Sequence, residues 1–202
     1  ILATLMSGNI YVPVDINTPI DRLEQILKSL GSSIIVYNHV TAKLAEKLIK
    51  KCPDAFLLDI ASNHASLEIS NQLIWDKVNS KISSIIDTDP AYIIFTSGST
   101  GIPKGVTISH KSIIDYIDWA NKTYVVDNLD IIGNQAPLYF DNSTLDIYLS
   151  FSNAACLHLI KETVFIFPAK LVEYLNDNTM TTIFWVPSLL VTIANLNLLD
   201  DI

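Results

Sequence analysis

Apolar residues fall along the chain in short blocks whose spacing alternates in a regular rhythm. Ile20, Leu23, Ile26, Leu27 and Leu30 recur every three or four positions, which places them on one face of a helix. Thr18 offers a capping hydroxyl, Pro19 suits the first turn, and Gly31 stops the helix. Ser33 to Tyr37 is a continuous apolar run, short enough for a buried strand. Leu44 and Leu48 predict a second helix over Thr41 to Lys50, and Phe56 to Asp59 a second strand. Helix and strand in alternation are the mark of a parallel sheet joined by helical crossovers.

Between Asn63 and Pro90 the pattern dissolves into polar, Ser- and Asn-rich sequence that reads as a linker or peripheral element, closed by a turn at Asp87 to Pro90. The rhythm then resumes. Strands are predicted at Tyr92 to Phe95 and Val106 to Ser109 on either side of a glycine-rich loop, followed by a helix from Lys111 to Lys122. A strand at Ile131 to Ala136 leads to an amphipathic stretch, Thr144 to Phe151. Strand Ala155 to Ile160, helix Ala169 to Leu175 after Pro168, strand Thr181 to Val186 and helix Ser188 to Leu196 complete the series. The fold class is α/β, with mostly parallel sheets and helical crossovers.

Composition narrows what such a fold can serve. A chain of 202 residues, half of them hydrophobic and 17% charged, builds a sizeable core in one domain or two small ones and is not a disordered segment. With 13 Lys+Arg against 21 Asp+Glu and Arg22 as its one arginine, it lacks the basic face that neutralises nucleic-acid phosphates. The most apolar stretch, Ala154 to Val172, is broken by His158, Lys161, Glu162 and Pro168, short of the roughly 18 apolar residues that span a bilayer. No membrane partner is expected. Ile1 to Ile10 has neither a basic start nor a cleavage site, so it is not read as a signal peptide, and without an initiator Met it is not expected to be a natural start. Cys52 and Cys156 fit two buried thiols in a reducing cytoplasm.

Of six glycines, three (Gly98, Gly101 and Gly105) stand within eight positions. They belong to Thr96-Ser-Gly-Ser-Thr-Gly-Ile-Pro-Lys-Gly105, which follows the strand at Tyr92. Free backbone N–H groups, the hydroxyls of Thr96, Ser97, Ser99 and Thr100, and the Lys104 ammonium together make a concave anion site suited to a polyphosphate. The P-loop pattern G-x-x-x-x-G-K-[ST] does not fit, because Pro103 precedes Lys104, Gly105 follows it, and a strand comes next. An ordinary hairpin with Ser, Thr and Gly in its turn is the plainer alternative.

The segment Ala91 to His110, AYIIFTSGSTGIPKGVTISH, resembles the phosphate-loop signature of the adenylate-forming enzymes, the superfamily of acyl-CoA synthetases, luciferases and the adenylation domains of nonribosomal peptide synthetases. Gly8 to Asp15 (GNIYVPVD) resembles an early motif of its amino-acid-activating members, and Phe140-Asp-Asn-Ser143 their Phe-Asp-x-Ser motif. The resemblance implies an enzyme that joins a carboxylate to the α-phosphorus of ATP, releases pyrophosphate, and passes the acyl group to a thiol. Thr96, Ser97, Gly98, Ser99, Thr100, Gly101 and Lys104 would then hold the β- and γ-phosphates, bridged by Mg²⁺. Lys104 could also be a solvated lysine.

Asp141 bears on the substrate class. A carboxylate among Leu138, Tyr139, Phe140 and Leu145 is costly unless paired, and an α-ammonium at about 4 Å would contribute about 4 kcal/mol at an effective dielectric near 20. An amino acid offers that cation; a fatty or aryl acid does not. In the branches the chain resembles, which feed the phosphopantetheine thiol of a carrier protein, Asn142, Leu145 and Trp185 would line the side-chain pocket, and the bulk of Trp185 favours a small substrate such as alanine. The plainer alternatives are that Asp141 caps the following helix and that Trp185 is core. His110, as the first residue of a helix, is assigned no chemistry, and Asp146 reads as a surface residue.

The family pattern continues beyond these residues, through the aromatic-Gly-Pro-Thr-Glu segment, the ribose-binding aspartate, the hinge and a C-terminal domain with its lysine. Residues 1–202 are therefore read as a partial AMP-binding domain that does not complete adenylation alone. An acyl-CoA synthetase-like ligase and a non-catalytic interaction module stand as alternatives.

Overall fold

The structure is a computed structural model describing residues 1–31, 33–61, 72–96 and 102–201. It divides into two compact units, Ile1–Ser109 and His110–Ile202.

The first unit contains α1 (Leu2–Met6), α2 (Ile20–Leu30), β1 (Ile34–Tyr37), α3 (Ala42–Lys51) and β2 (Phe56–Asp59). β1 and β2 are parallel, with Ile34 opposite Phe56 and Tyr37 opposite Asp59, and α3 is their crossover. The helical spacing is realised as buried stripes, Leu23 and Ile26 on α2 and Ala45 and Leu48 on α3. Pro19 rather than Thr18 occupies the N-cap of α2, without a side-chain cap bond. Gly31 ends that helix at φ +74°, a conformation that a Cβ would strain. Lys51 Nζ links the two helices by reaching Asp21 and Glu24, each at 2.7 Å, while Lys28 Nζ lies 2.6 Å from Glu24. Hydrogen bonds from Lys28 and Lys51 hold the Glu24 carboxyl down to about 2.

The stretch predicted as a linker contains α4 (Gln72–Ser84), a helix that buries none of its residues. β3 (Pro90–Thr96) and β4 (Lys104–Ser109) then form an antiparallel hairpin, the exception in a fold whose other described pairings are parallel. The physical reason is length: a parallel crossover takes a dozen or more residues, far more than separate Thr96 from Lys104. Tyr11 braces this hairpin. Its N–H donates to the Ala91 carbonyl, its carbonyl accepts from the Ile93 N–H, and its ring lies 5.3 Å from that of Tyr92.

The second unit comprises α5 (His110–Thr123), β5 (Ile131–Asn134), α6 (Ser143–Asn153), β6 (Cys156–Leu159), α7 (Pro168–Asp177), β7 (Thr182–Ile183) and α8 (Pro187–Asn195). Its sheet has the order β6-β5-β7, parallel throughout. The strand expected over Thr181 to Val186 contracts to two residues because Trp185 turns into the core and Pro187 already begins α8. Ile117, Ala120, Ile132, Leu145 and Leu149 form one core cluster, and Leu171, Val172, Leu175, Trp185 and Ile193 another. Burying each large apolar side chain contributes about 1.5–3 kcal/mol. α6 buries seven of its eleven residues, so it is a core helix and not the amphipathic one its sequence suggests. Cys52 is buried but Cys156, at the start of edge strand β6, is exposed, which corrects the expectation of two buried thiols. No helix among the described residues is long and apolar enough to cross a membrane.

Candidate functional site

Two features carry the candidate chemistry, one in each unit. In the first, the hairpin ladder runs to the pair Thr96 and Lys104, where Thr96 Oγ1 lies 3.5 Å from the Lys104 carbonyl. Both residues are exposed, while Pro103 beside them is buried and seats the returning limb. Gly105 stands opposite Phe95, and a Cβ there would lie 2.8 Å from Ile93 Cγ2 and 3.1 Å from Phe95 Cζ. This glycine is required for close approach. The ladder thus presents a hydroxyl and an ammonium at the mouth of the loop; Ser97, Gly98, Ser99, Thr100 and Gly101 lie outside the described residues.

In the second unit, a tight turn leads into α6. The Phe140 carbonyl accepts from the Ser143 N–H and hydroxyl, and the Asp141 carbonyl from those of Thr144 at 2.9 and 2.6 Å. With the backbone so engaged, the Asp141 side chain is left exposed, and its Oδ1 accepts from the adjacent Asn142 N–H at 2.9 Å. The expected apolar enclosure of Asp141 is therefore corrected. The capping alternative does not match either, since that hydrogen bond goes to Asn142, the N-cap residue itself, which makes no side-chain cap bond.

The other two pocket candidates are core residues here. Leu145 is 1% exposed in the first cluster. Trp185 is 4% exposed, its indole N–H donates to the Gly133 carbonyl at 2.8 Å, and its ring meets Phe165 edge-on at 5.4 Å. Asp141 and Asn142 reach solvent; Leu145 and Trp185 could shape a pocket only from beneath.

Asp146, read from sequence as a surface residue, is the buried carboxyl of this unit. It is 1% exposed, Oδ2 accepts from Asn134 Nδ2 at 2.9 Å, and Oδ1 is buried with no hydrogen-bond partner. Burial pushes its pKa up to about 7, with the Asn134 hydrogen bond opposing the rise. A signal was present in the sequence: Leu145, Ile147 and Leu149 with Thr144 and Tyr148 surround Asp146 on every side of the helix.

The AMP-binding enzyme profile matches residues 1–201. The chain is 34% identical over 207 residues to an L-proline--[L-prolyl-carrier protein] ligase of Pseudomonas fluorescens, covering 99% of this chain and 40% of that protein. It is 34% identical over 167 residues to a D-alanine--D-alanyl carrier protein ligase of Listeria monocytogenes, covering 81% of this chain and 30% of that protein. The adenylation domain AlmE of Vibrio cholerae, solved with glycyl-adenosine-5'-phosphate, superposes with a TM-score of 0.74 at 20% identity over 96% of this chain and 39% of that one. The chain thus spans well under half the length of the proteins it matches. With the signature hairpin in one unit, the acid turn in the other and a profile match across nearly its whole length, the chain belongs to the AMP-binding enzyme family.

Proposed function

We propose that the chain supplies the phosphate-binding hairpin and the substrate-recognising turn of an ATP-dependent amino-acid ligase. The parent enzyme forms an aminoacyl adenylate, releases pyrophosphate, and passes the aminoacyl group to a carrier-protein phosphopantetheine thiol in the cytoplasm. The observation that carries this reading is Asp141, an exposed carboxylate held by a locked turn at the head of a buried helix. One hydrogen bond from Asn142 leaves it acceptor capacity for a substrate ammonium. The carrier-protein ligases among its relatives support the same substrate class.

In this reading Thr96, Ser97, Gly98, Ser99, Thr100, Gly101 and Lys104 hold the ATP phosphates. Their hydroxyls, N–H groups and ammonium suit phosphate oxygens, and Mg²⁺ bound with ATP would add charge neutralisation there. Asn142, Leu145 and Trp185 shape the side-chain pocket, and the bulk of Trp185 restricts it to a small amino acid such as alanine.

The test is pyrophosphate exchange by the full-length parent enzyme across a panel of L- and D-amino acids. Exchange is expected with a small amino acid, and Asp141→Ala should lower kcat/KM roughly 30-fold or more, the loss of a charge-assisted contact of about 2 kcal/mol. Exchange that depends on a fatty or aryl acid and survives Asp141→Ala would transfer the assignment to an acyl-CoA synthetase-like ligase.

A further inference from the structure

Gly133 and Asn134, consecutive residues at the end of β5, hold the two elements assigned to substrate recognition. The Gly133 carbonyl accepts the Trp185 indole N–H, and the Asn134 amide donates to Asp146, in the first turn of α6. We propose that Asp146 is a positioning residue of the amino-acid pocket, tying the head of α6 and the Asp141–Asn142 turn to the strand end that also holds Trp185. The inference rests on the reading of Asp141 as the ammonium acceptor. Asp146 acts through Asn134 and the helix backbone and does not itself meet substrate.

The surroundings define the state in which this tie works. Asp146 and Asn134 are 1% and 5% exposed. The cavity beside Asp146, about 20 Å³, is lined also by Tyr124, Ile132, Leu145, Leu149, Thr182, Ile183 and Phe184, so Tyr124 is its one other titratable group. On α5, Lys111, Asp115, Asp118 and Lys122 are exposed; on β6, His158 is bonded to Tyr174; at the foot of β5, Asp130 is bonded to Thr181. Among the described residues no cation answers the carboxyl, and burial pushes it up to about 7. Oδ2 accepts from Asn134, so the proton belongs on Oδ1, the buried oxygen that has no partner. Loss of that proton leaves an uncompensated charge in the core; the Asn134 hydrogen bond strengthens but offsets it only in part, and the packing around the head of α6 loosens.

The amino-acid and ATP KM of the full-length parent enzyme, measured by pyrophosphate exchange from pH 6 to 9, test this. The amino-acid KM should rise about tenfold above neutrality as the protonated fraction falls. Asp146→Asn, which keeps the acceptor for Asn134 and cannot ionise, should hold that KM low and flat. Asp146→Ala and Asn134→Ala should raise it about tenfold at every pH with the ATP KM within about twofold. A protonated-carboxyl band in the infrared at pH 6, absent from Asp146→Asn, is expected as well. The inference is overturned if Asp146→Asn follows the wild-type profile, or if the alanine variants move both KM values together or neither. Should those variants not fold, the Asp146→Asn profile decides. Exchange that is present but indifferent to Asp146 sinks this inference alone, whereas absence of amino-acid-dependent exchange sinks the reading beneath it first.

Discussion

Thr96 and Lys104 face each other across the hairpin rung that bounds the glycine loop, so a hydroxyl-bearing and an ammonium-bearing residue leave the ladder side by side where the two strands end. Directly paired residues share a face of the ladder, and their separation is fixed by backbone pairing from Pro90 and Ser109 upward. The hydrophobic strand thereby sets the spacing of two polar groups, and Tyr11 stiffens the same strand from its other edge.

Lys104→Ala in the full-length parent enzyme is expected to raise the ATP KM roughly 10- to 100-fold, the value of a charged hydrogen bond of about 1.5–3 kcal/mol. The amino-acid KM should stay nearly constant. Exchange assays at varied ATP would show this, and an unchanged ATP KM would mean that Lys104 is only solvated.

Gly105→Ala is expected to destabilise the hairpin by about 1–3 kcal/mol, because the added methyl lies 2.8 Å from a β-branch of Ile93 that cannot swing aside. Shortening the neighbour should relieve the clash: Ile93→Ala and Gly105→Ala combined should cost less than the sum of the two singles in urea denaturation. Additive costs would place the strain elsewhere.

What the sequence made legible were elements whose burial repeats with a period. α2, α3 and the strand Ile131 to Asn134 emerged from apolar spacing because those residues do face a core, whereas Phe56 to Leu58 are exposed and emerged from their apolar run alone. α4 escaped because Leu73, Ile74, Trp75 and Ile82 are 70%, 41%, 42% and 41% exposed, leaving no stripe to read. The two carboxyls near α6 were assigned opposite environments for a related reason. Apolar neighbours in sequence surround Asp141, but a tight turn carries it outward, while Asp146 lies on a helix that buries seven of its eleven residues. Local spacing reports which face a residue occupies; it does not report how many faces the fold covers.

Trp185 tests the distinction between pocket and core. Trp185→Phe keeps most of the buried area but leaves the Gly133 carbonyl without the indole donor, at an expected cost of about 1–3 kcal/mol. Trp185→Ala should cost about 3–5 kcal/mol through the cavity it opens between Leu171 and Ile193. Denaturant midpoints would check both, and a Phe variant as stable as wild type would show that the indole hydrogen bond contributes nothing net.

The pH dependence of stability should separate Glu24 from Asp146, because their shifts have opposite signs. Glu24 is depressed from 4.5 to about 2, so its contribution is present above pH 4.5 and is lost as pH falls toward 2. Asp146 is raised from 3.8 to about 7, so between those values the unfolded chain has lost a proton that the folded chain keeps, and stability falls as pH rises. At about 1.4 kcal/mol per pH unit the full penalty above neutrality is roughly 4 kcal/mol. Urea midpoints at pH 4, 6 and 8 should therefore show Asp146→Asn gaining on wild type progressively, with little difference at pH 4, while Glu24→Gln loses stability mainly above pH 4.5. If Asp146→Asn gains the same amount at pH 4 as at pH 8, the buried carboxyl does not carry the proton assigned to it.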